Sequence, residues 1–476
     1  MTQLASIPAA LETALRSALP DAALPELTEG YLQEPRGRYR GTGGLLVAPD
    51  CTAQVAHVVK CAAEAGVGIV PYSGGTGLVG GQIASDGPPP IILSLHRMDR
   101  IRDVFADENV VVAEAGVILA DVQKVADEAR RLFPLSLASE GSARVGGLLA
   151  TNAGGVNVLR WGNARDLTLG IEAVLPSGEV LNGLTRLRKN NTGYDLRHLM
   201  VGAEGTLGII TAAALRLVPR PTRRGVGMLV VRDPEAALEL LGIAGRVAGD
   251  TLSAFELIGG MGFAFLAETM PHIRLPFAVP PAWSVLIDLG GGDGFDPDAA
   301  LGAIYERGAE AGVVSDGVIA QSEAQAAALW TVRESIPEAN RHIGSVSSHD
   351  ISVPLSAIPI FIPRATQALA QIGDYRINCF GHLGDGNLHY NVFPQPGRSR
   401  ADHEDERPAI KRCVHDIVHD MGGSVAAEHG VGRLKVEDLE RYTDPTKLSA
   451  MRAIKSALDP KGIMNPGVIL RDSGGH

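Results

Sequence analysis

The sequence predicts an α+β chain of two domains behind a short helical lead, and three observations carry that expectation. A length of 476 residues exceeds what one hydrophobic core usually serves. Glycine-rich blocks and short β-type runs crowd residues 45–211. Beyond the punctuation Val218-Pro219-Arg220-Pro221 that character fades, and a second dense block runs from Cys379 to Arg433. The divisions are a helical segment at 1–39, a first domain at 40–220 and a second at 221–476.

The elements follow in order. MTQLASIPAALETALRSALPDAAL carries the acids Glu12 and Asp21 and no basic leading region. It reads as a short amphipathic helix, not a secretory signal or transit peptide. LLVAP, GVGIVPY, IILSL and VVVAEAG read as strands. CTAQVAHVVKCAAEAG and LADVQKVADEARR place apolar residues at three-to-four spacing and read as helices, with Asp50 and Asp121 near their starts, where acids help. After the boundary come strand-like GMLVVR and SVLIDL and helical SEAQAAALWTVRESI. A last helical stretch, DPTKLSAMRAIKSALDP, leads to the tail GIMNPGVIL. With 45% hydrophobic and 20% charged residues the chain has an ordinary globular composition. A formal charge of −11 argues against a nucleic-acid partner, and no apolar run reaches the roughly 18 residues of a membrane span. Cys51, Cys61, Cys379 and Cys413 form neither a zinc pair nor a CxxC, so reduced thiols in a cytoplasmic protein are expected.

Gly75-Thr76-Gly77-Leu78-Val79-Gly80 spells G-x-G-x-x-G after an apolar run, with Asp99 at the right distance of about 20 residues. That fingerprint needs a helix opening at its last glycine to hold a pyrophosphate. Pro88 to Pro90 and further glycines leave no room for one. Five of the eight residues from Gly74 to Gly81 are glycine, which suits a loop whose own N–H groups wrap an anion. Two more blocks, SEGSARVGGLLATNAGG and RKNNTGYDLRHLMVGAEGTLGIIT, add backbone donors and small polar side chains. Three such blocks fit a large nucleotide ligand wrapped at several points.

The order P-x-x-GGTGL-x-GG, FPLSL-x-SEGSA-x-x-GG-x-x-ATNAGG, LRKNNTGYDL and GAEGTLGIIT resembles the FAD-binding domain of the vanillyl-alcohol oxidase (PCMH) type. The resemblance implies FAD. It assigns the diphosphate to the loop of Pro71, Ser73, Gly74, Gly75, Thr76, Gly77 and Leu78. Further contacts fall to Ser139, Gly141, Ser142, Gly146, Gly147, Thr151, Asn152 and Gly155, and to Glu204, Gly205, Ile209 and Asn465. Residues 71–82 hold no histidine, so the flavin is expected to be non-covalent; His96 lies outside that loop.

In the second domain, GHLGDGNLHYN sets His382 and His389 seven residues apart. On a straight strand they would face opposite ways, but Gly384-Asp385-Gly386 is a turn sequence that can bring both rings to one point. His389 and Asn391 share a strand face. With Glu428 of AAEHGVGR, two histidines and a carboxylate suit a divalent metal such as Zn2+ with positions left open. These two segments look like those of the FAD-dependent D-2-hydroxyacid dehydrogenases, a family that acts on D-2-hydroxyglutarate, D-lactate or glycolate. The resemblance implies that the second domain is an α+β substrate domain with an antiparallel sheet and a C-terminal segment returning to the flavin. It implies that His382, His389 and Glu428 hold the metal, that His429 is the base, and that Arg333 pairs with the substrate's C1 carboxylate. Asn391 matches the hydroxyglutarate enzymes. Two positions depart from them: Pro337 stands where threonine is common, and Ser348 where a lysine is. His349 or Arg341 would be the nearby replacements for the lost cation. The expected reaction is oxidation of a D-2-hydroxy acid, D-2-hydroxyglutarate first and D-lactate, D-malate or glycolate behind. Electrons would pass to an electron-transfer flavoprotein or a quinone-linked acceptor, and a homodimer is compatible. Rival expectations are an alkylglycerone-phosphate synthase-like transferase, an oxygen-using oxidase, and a catalytically silent flavin subunit.

Overall fold

A computed structural model describes residues 4–35, 37 and 39–471. The chain forms two compact units, one from Met1–Gly154, Gly162–Arg220 and Glu428–His476, the other from Gly155–Trp161 and Pro221–Ala427. Residues 428–471, which follow the second domain in sequence, therefore pack with the first.

In the first unit, β1 (Leu45–Val47), β2 (Ile69–Tyr72) and β3 (Ile91–Ser94) form a parallel sheet in the order β1-β3-β2. The Thr52–Ala65 helix turns Val55, Val58, Val59 and Ala62 into the core at helical spacing. It ends at Gly66, whose φ of 67° lets its N–H return to the Ala62 carbonyl. Leu11 and Leu15 of the Ala9–Ala18 helix and the C-terminal Ile463 and Met464 complete this core. Next come β4 (Ile101–Phe105), β5 (Val110–Glu114), β6 (Arg131–Leu132), β7 (Thr168–Val174), β8 (Val180–Gly183), β9 (Ile209–Arg216) and β10 (Val218–Pro219). Five of them make an antiparallel sheet, β4-β5-β9-β7-β8, and β6 pairs with β10. No helix lies between Tyr72 and Ile91, so the G-x-G-x-x-G loop is not the NAD-type turn. As expected, both acids stand near helix starts: Asp121 lies in the first turn of its helix, and Asp50 directly precedes the N-cap position Cys51 and pairs with Arg97.

The second unit is built on one seven-stranded antiparallel sheet. Its strands are β11 (Arg223–Val231), β12 (Leu252–Gly259), β13 (Trp283–Gly291), β14 (Val314–Ile319), β15 (Ser347–Ser352), β16 (Arg376–His382) and β17 (Asn387–Phe393). Their order is β14-β11-β13-β12-β16-β17-β15. Alternation assigns the two faces. Phe255 and Leu257 of β12 join a core with the Pro234–Ala248, Pro297–Glu310, Ile358–Leu369 and Arg407–Asp420 helices. Ala254 and Ile258 face the Gly260–Thr269 and Glu323–Ile343 helices. The latter starts at Ser322, whose hydroxyl accepts from the Gln325 N–H. Its interior Pro337 has no N–H to give the Arg333 carbonyl.

Candidate functional site

In the first unit the glycine loop has little freedom to be anything else. A Cβ on Gly74 would lie 2.4 Å from the Ser142 carbonyl oxygen, and Gly75 and Gly80 have φ of 69° and 72°. Ser73 Oγ accepts from the Gly147 N–H at 3.0 Å, which ties the loop to the short Val145–Ala150 helix. Gly146 backs onto Ala115, where a Cβ would come within 2.8 Å. Thr76, Gly77 and Leu78 stay partly exposed, Gly77 with its carbonyl on the Gln82 amide, and Ser139, Gly141 and Ser142 line an open stretch. Thr151 returns its hydroxyl to the Gly147 carbonyl. Asn152 has φ of 53° and accepts from the Arg165 N–H. Gly155, at φ of 112°, opens the short segment assigned to the second unit.

Three predicted flavin residues turn out to have structural work. Ile209 is buried in the core. Gly205, at φ of 72°, packs where a Cβ would strike the Pro71 ring at 2.7 Å. The Glu204 carboxylate is buried and accepts the Val431 and Gly432 N–H groups at 2.8 Å each. Burial pushes its pKa up to about 7 against those two bonds and the Lys435 charge.

Asn465 supplies the test of fit for a flavin. Its Nδ2 donates to the Gly81 and Glu204 carbonyls, both pure acceptors, so the amide orientation is fixed by chemistry. That leaves Oδ1 buried and without a hydrogen-bond partner. A buried orphan acceptor beside a backbone-lined glycine cradle fits a ligand that brings an N–H, as an isoalloxazine does.

In the second unit the β16–β17 hairpin performs the predicted fold-back. A tight Leu383–Asp385 turn, closed by Gly386 at φ of 86°, joins the strands. Phe380 stands opposite His389, and His382, two residues along, shares that face. The two imidazole centroids are 5.6 Å apart. Register carries the same face outward: His389 is opposite Asp350 and Asn391 opposite Ser348 on β15, and Asn378 opposite Asn391 on β16. Asn391 is buried at this face; Ser348 is exposed and gives its hydroxyl to Ser345 at 2.7 Å. Glu428 follows directly on Ala427, whose N–H donates to the Asp350 carbonyl. Ligand atoms of His382, His389 and Glu428 all lie within 4.8 Å of one another. This set of two imidazoles and a carboxylate fits a divalent cation. His429 Nε2 is 3.6 Å from Glu428 Oε1.

Arg333, expected at the substrate carboxylate, also has a partner within the protein. It is 5% exposed, and its Nε and Nη2 both grip Oε2 of Glu256, at 2.8 and 2.7 Å. Its Cζ lies 4.8 Å from the centre of the Phe380 ring. The other Glu256 oxygen is 2.7 Å from His382 Nδ1. Burial opposes ionisation of Glu256, yet the His382 ring and the Arg333 guanidinium against its two oxygens hold it down at about 2. Sequence reading missed Glu256 and Asp350. An acid inside the apolar run SAFELIGG was the available signal for the first. For Asp350, a neighbour of His389 that accepts from the Asn387 amide, there was none beyond strand parity. The proposed stand-ins for a lost cation are not equivalent: His349 lies on the opposite face of β15, buried against His415, and Arg341 pairs with Glu338 at the surface.

Residues 44–183 match the FAD binding domain family and residues 220–469 the C-terminal domain of FAD linked oxidases. A D-2-hydroxyglutarate dehydrogenase of Xanthomonas citri pv. viticola is 36% identical, covering 95% of each chain. The mitochondrial D-2-hydroxyglutarate dehydrogenase of Arabidopsis thaliana is 34% identical over 92% of this chain and 76% of its own. A D-2-hydroxyglutarate–pyruvate transhydrogenase of Saccharomyces cerevisiae is 30% identical over 93% and 89%. Among solved structures, p-cresol methylhydroxylase superposes at a TM-score of 0.77 over all of both chains with 18% identity. Alkyldihydroxyacetonephosphate synthase does so at 0.72, over 98% of this chain and 86% of that one, with 17% identity. Those two likenesses concern the fold.

Proposed function

Because the chain belongs to the FAD-linked oxidases, among the D-2-hydroxyacid dehydrogenases, we propose that it oxidises D-2-hydroxyglutarate to the 2-oxo acid with FAD and a divalent metal. The observation that carries this reading is the His382, His389 and Glu428 cluster on the sheet face that also holds Asn391. When bound, the flavin supplies a hydride acceptor and the cation, with Zn2+ matching the donor set, a Lewis acid for the substrate alcohol. His382, His389 and Glu428 would hold the cation. His429 takes the hydroxyl proton on its imidazole, next to Glu428 in the chain. Arg333 spends two of its five N–H groups on Glu256 and offers the rest to the C1 carboxylate. Asn391 hydrogen-bonds the substrate from the His389 face. Electrons then leave for an external acceptor, an electron-transfer flavoprotein or a quinone-linked protein. Four free thiols suit a reducing compartment such as the cytoplasm; no described helix is long and apolar enough to cross a membrane.

The test is anaerobic. D- and L-2-hydroxyglutarate, D-lactate, D-malate and glycolate are added separately to FAD-loaded protein, with and without a metal chelator, and bleaching of the oxidised flavin is followed. Fastest bleaching by D-2-hydroxyglutarate that chelation abolishes is expected. Bleaching by dithionite but by none of the acids would overturn the reading.

A second reading, D-lactate as substrate, is favoured by one observation: Ser348 puts a hydroxyl, not a cation, opposite Asn391. Fastest bleaching by D-lactate in the same experiment would select it.

A further inference from the structure

Glu256 connects two groups that the sequence treats as separate. It lies at register with His382 across the β12–β16 ladder, 126 residues away in sequence. Its two oxygens are divided: Oε1 faces His382 Nδ1, and Oε2 is held by Nε and Nη2 of Arg333. All three groups are buried, with exposures of 1%, 6% and 5% for Glu256, His382 and Arg333. The division has a chemical consequence. A guanidinium only donates, so whatever Arg333 touches must accept. An ionised carboxylate accepts at both oxygens, so Nδ1 of His382 must carry the proton it donates. The ring nitrogen left to act as a ligand is then Nε2.

We propose that Glu256 is a positioning residue that fixes His382 in the Nδ1–H tautomer, and that Arg333 sets which Glu256 oxygen is free to do so. The proposal rests on the metal reading above. The residue assigned to the substrate carboxylate thus shares the Glu256 carboxylate with a metal ligand.

Glutamine at 256 exposes this logic. In Glu256→Gln, Arg333 claims the amide oxygen and turns the NH2 toward His382 Nδ1. That nitrogen must now accept, so the proton moves to Nε2 and blocks the ligand position. Removing the guanidinium as well, in Glu256→Gln/Arg333→Met, frees the amide to flip and present its oxygen to Nδ1–H. The second substitution should therefore restore what the first destroys.

The experiment measures Zn2+ affinity of the FAD-loaded protein by competition with a chromophoric chelator, and ring tautomers of the metal-free protein by nitrogen-15 NMR. Loss of a hydrogen-bond partner to a metal-binding histidine typically weakens binding about 10- to 100-fold. Glu256→Gln is expected to fall in that range with FAD content unchanged and the His382 signal moved to the Nε2–H form. Arg333→Met should stay within about threefold of wild type, and the double variant should recover at least about tenfold over Glu256→Gln. If Glu256→Gln does not fold, Glu256→Leu/Arg333→Met leaves no buried charge and no acceptor; it should bind Zn2+ at least about tenfold more weakly than Glu256→Gln/Arg333→Met. Wild-type affinity in Glu256→Gln, or equal affinities in the two double variants, overturns the proposal and leaves the metal reading standing. Wild-type protein that takes up no Zn2+ overturns both.

Discussion

Glu204 and Gly432, 228 residues apart, meet through a buried carboxylate oxygen and a backbone N–H at 2.8 Å. The partner oxygen takes the Val431 N–H, so one side chain pins the segment that begins just after His429. Gly432 cannot be replaced there: at φ of 54° its Cβ would fall 2.1 Å from the Val79 carbonyl oxygen.

This contact predicts a pH dependence. The folded pKa of Glu204 is raised, chiefly by burial, to about 7. The group therefore contributes stability that is fully present below its unfolded pKa near 4.5, and loses it as pH rises through about 7. The span corresponds to roughly 3 kcal/mol. Glu204→Gln abolishes that slope, and at pH 5 it should be less stable than wild type by about 1–3 kcal/mol, because its NH2 opposes a backbone N–H. Urea midpoints of both proteins at pH 5 and pH 8 check this; parallel midpoints would refute it.

His429→Asn is expected to retain FAD and Zn2+ and to lose about 10²- to 10⁴-fold in the rate of flavin reduction. Stopped-flow reduction by D-2-hydroxyglutarate measures it. A variant that reduces its flavin at near wild-type rate removes His429 as the base.

Gly74→Ala should purify with little flavin. The added methyl meets the Ser142 carbonyl at 2.4 Å, a contact that only backbone movement can relieve, and the movement spreads the cradle. Flavin absorbance per chain, with far-ultraviolet circular dichroism to establish folding, reads the outcome. Full flavin occupancy would mean that this loop does not shape the site.

Asn465→Ala removes two donations, to Gly81 and Glu204, and the lone acceptor Oδ1. Its apoprotein should lose about 1–3 kcal/mol. Added FAD should raise its melting temperature by less than it raises that of wild type, because the acceptor is gone. An undiminished FAD-induced shift would place Oδ1 outside the flavin site.

Local features of the fold and site were readable in the sequence because they rest on local rules. The prolines after Gly80 forbid a helix, and Gly384-Asp385-Gly386 folds two histidines onto one face. The α+β class follows from the strand-like and helical runs, and the antiparallel second sheet from the family resemblance alone. What escaped is set by register between distant strands. Nothing near Glu256 in sequence says that His382 will stand opposite it, or that Arg333 will reach it from a helix. Glu204 reads as one more polar residue in a glycine-rich block until residues 431–432 arrive against it. Asp50 and Asp121 were legible for the same local reason, one directly before the N-cap position Cys51 and the other in the first turn of its helix.

The first unit is also the last to be finished during synthesis. Its parallel sheet includes Ile69, whose N–H donates to the Ile463 carbonyl, and its core is closed by Ile463 and Met464. At ribosomal rates nearly 400 residues take roughly 20–80 s to make. Through that interval the glycine cradle waits incomplete, and before it ends Pro221–Ala427, nearly all of the other unit, has been made. A nascent chain released before Met464 would therefore carry a nearly complete second unit and a first unit whose core is still open.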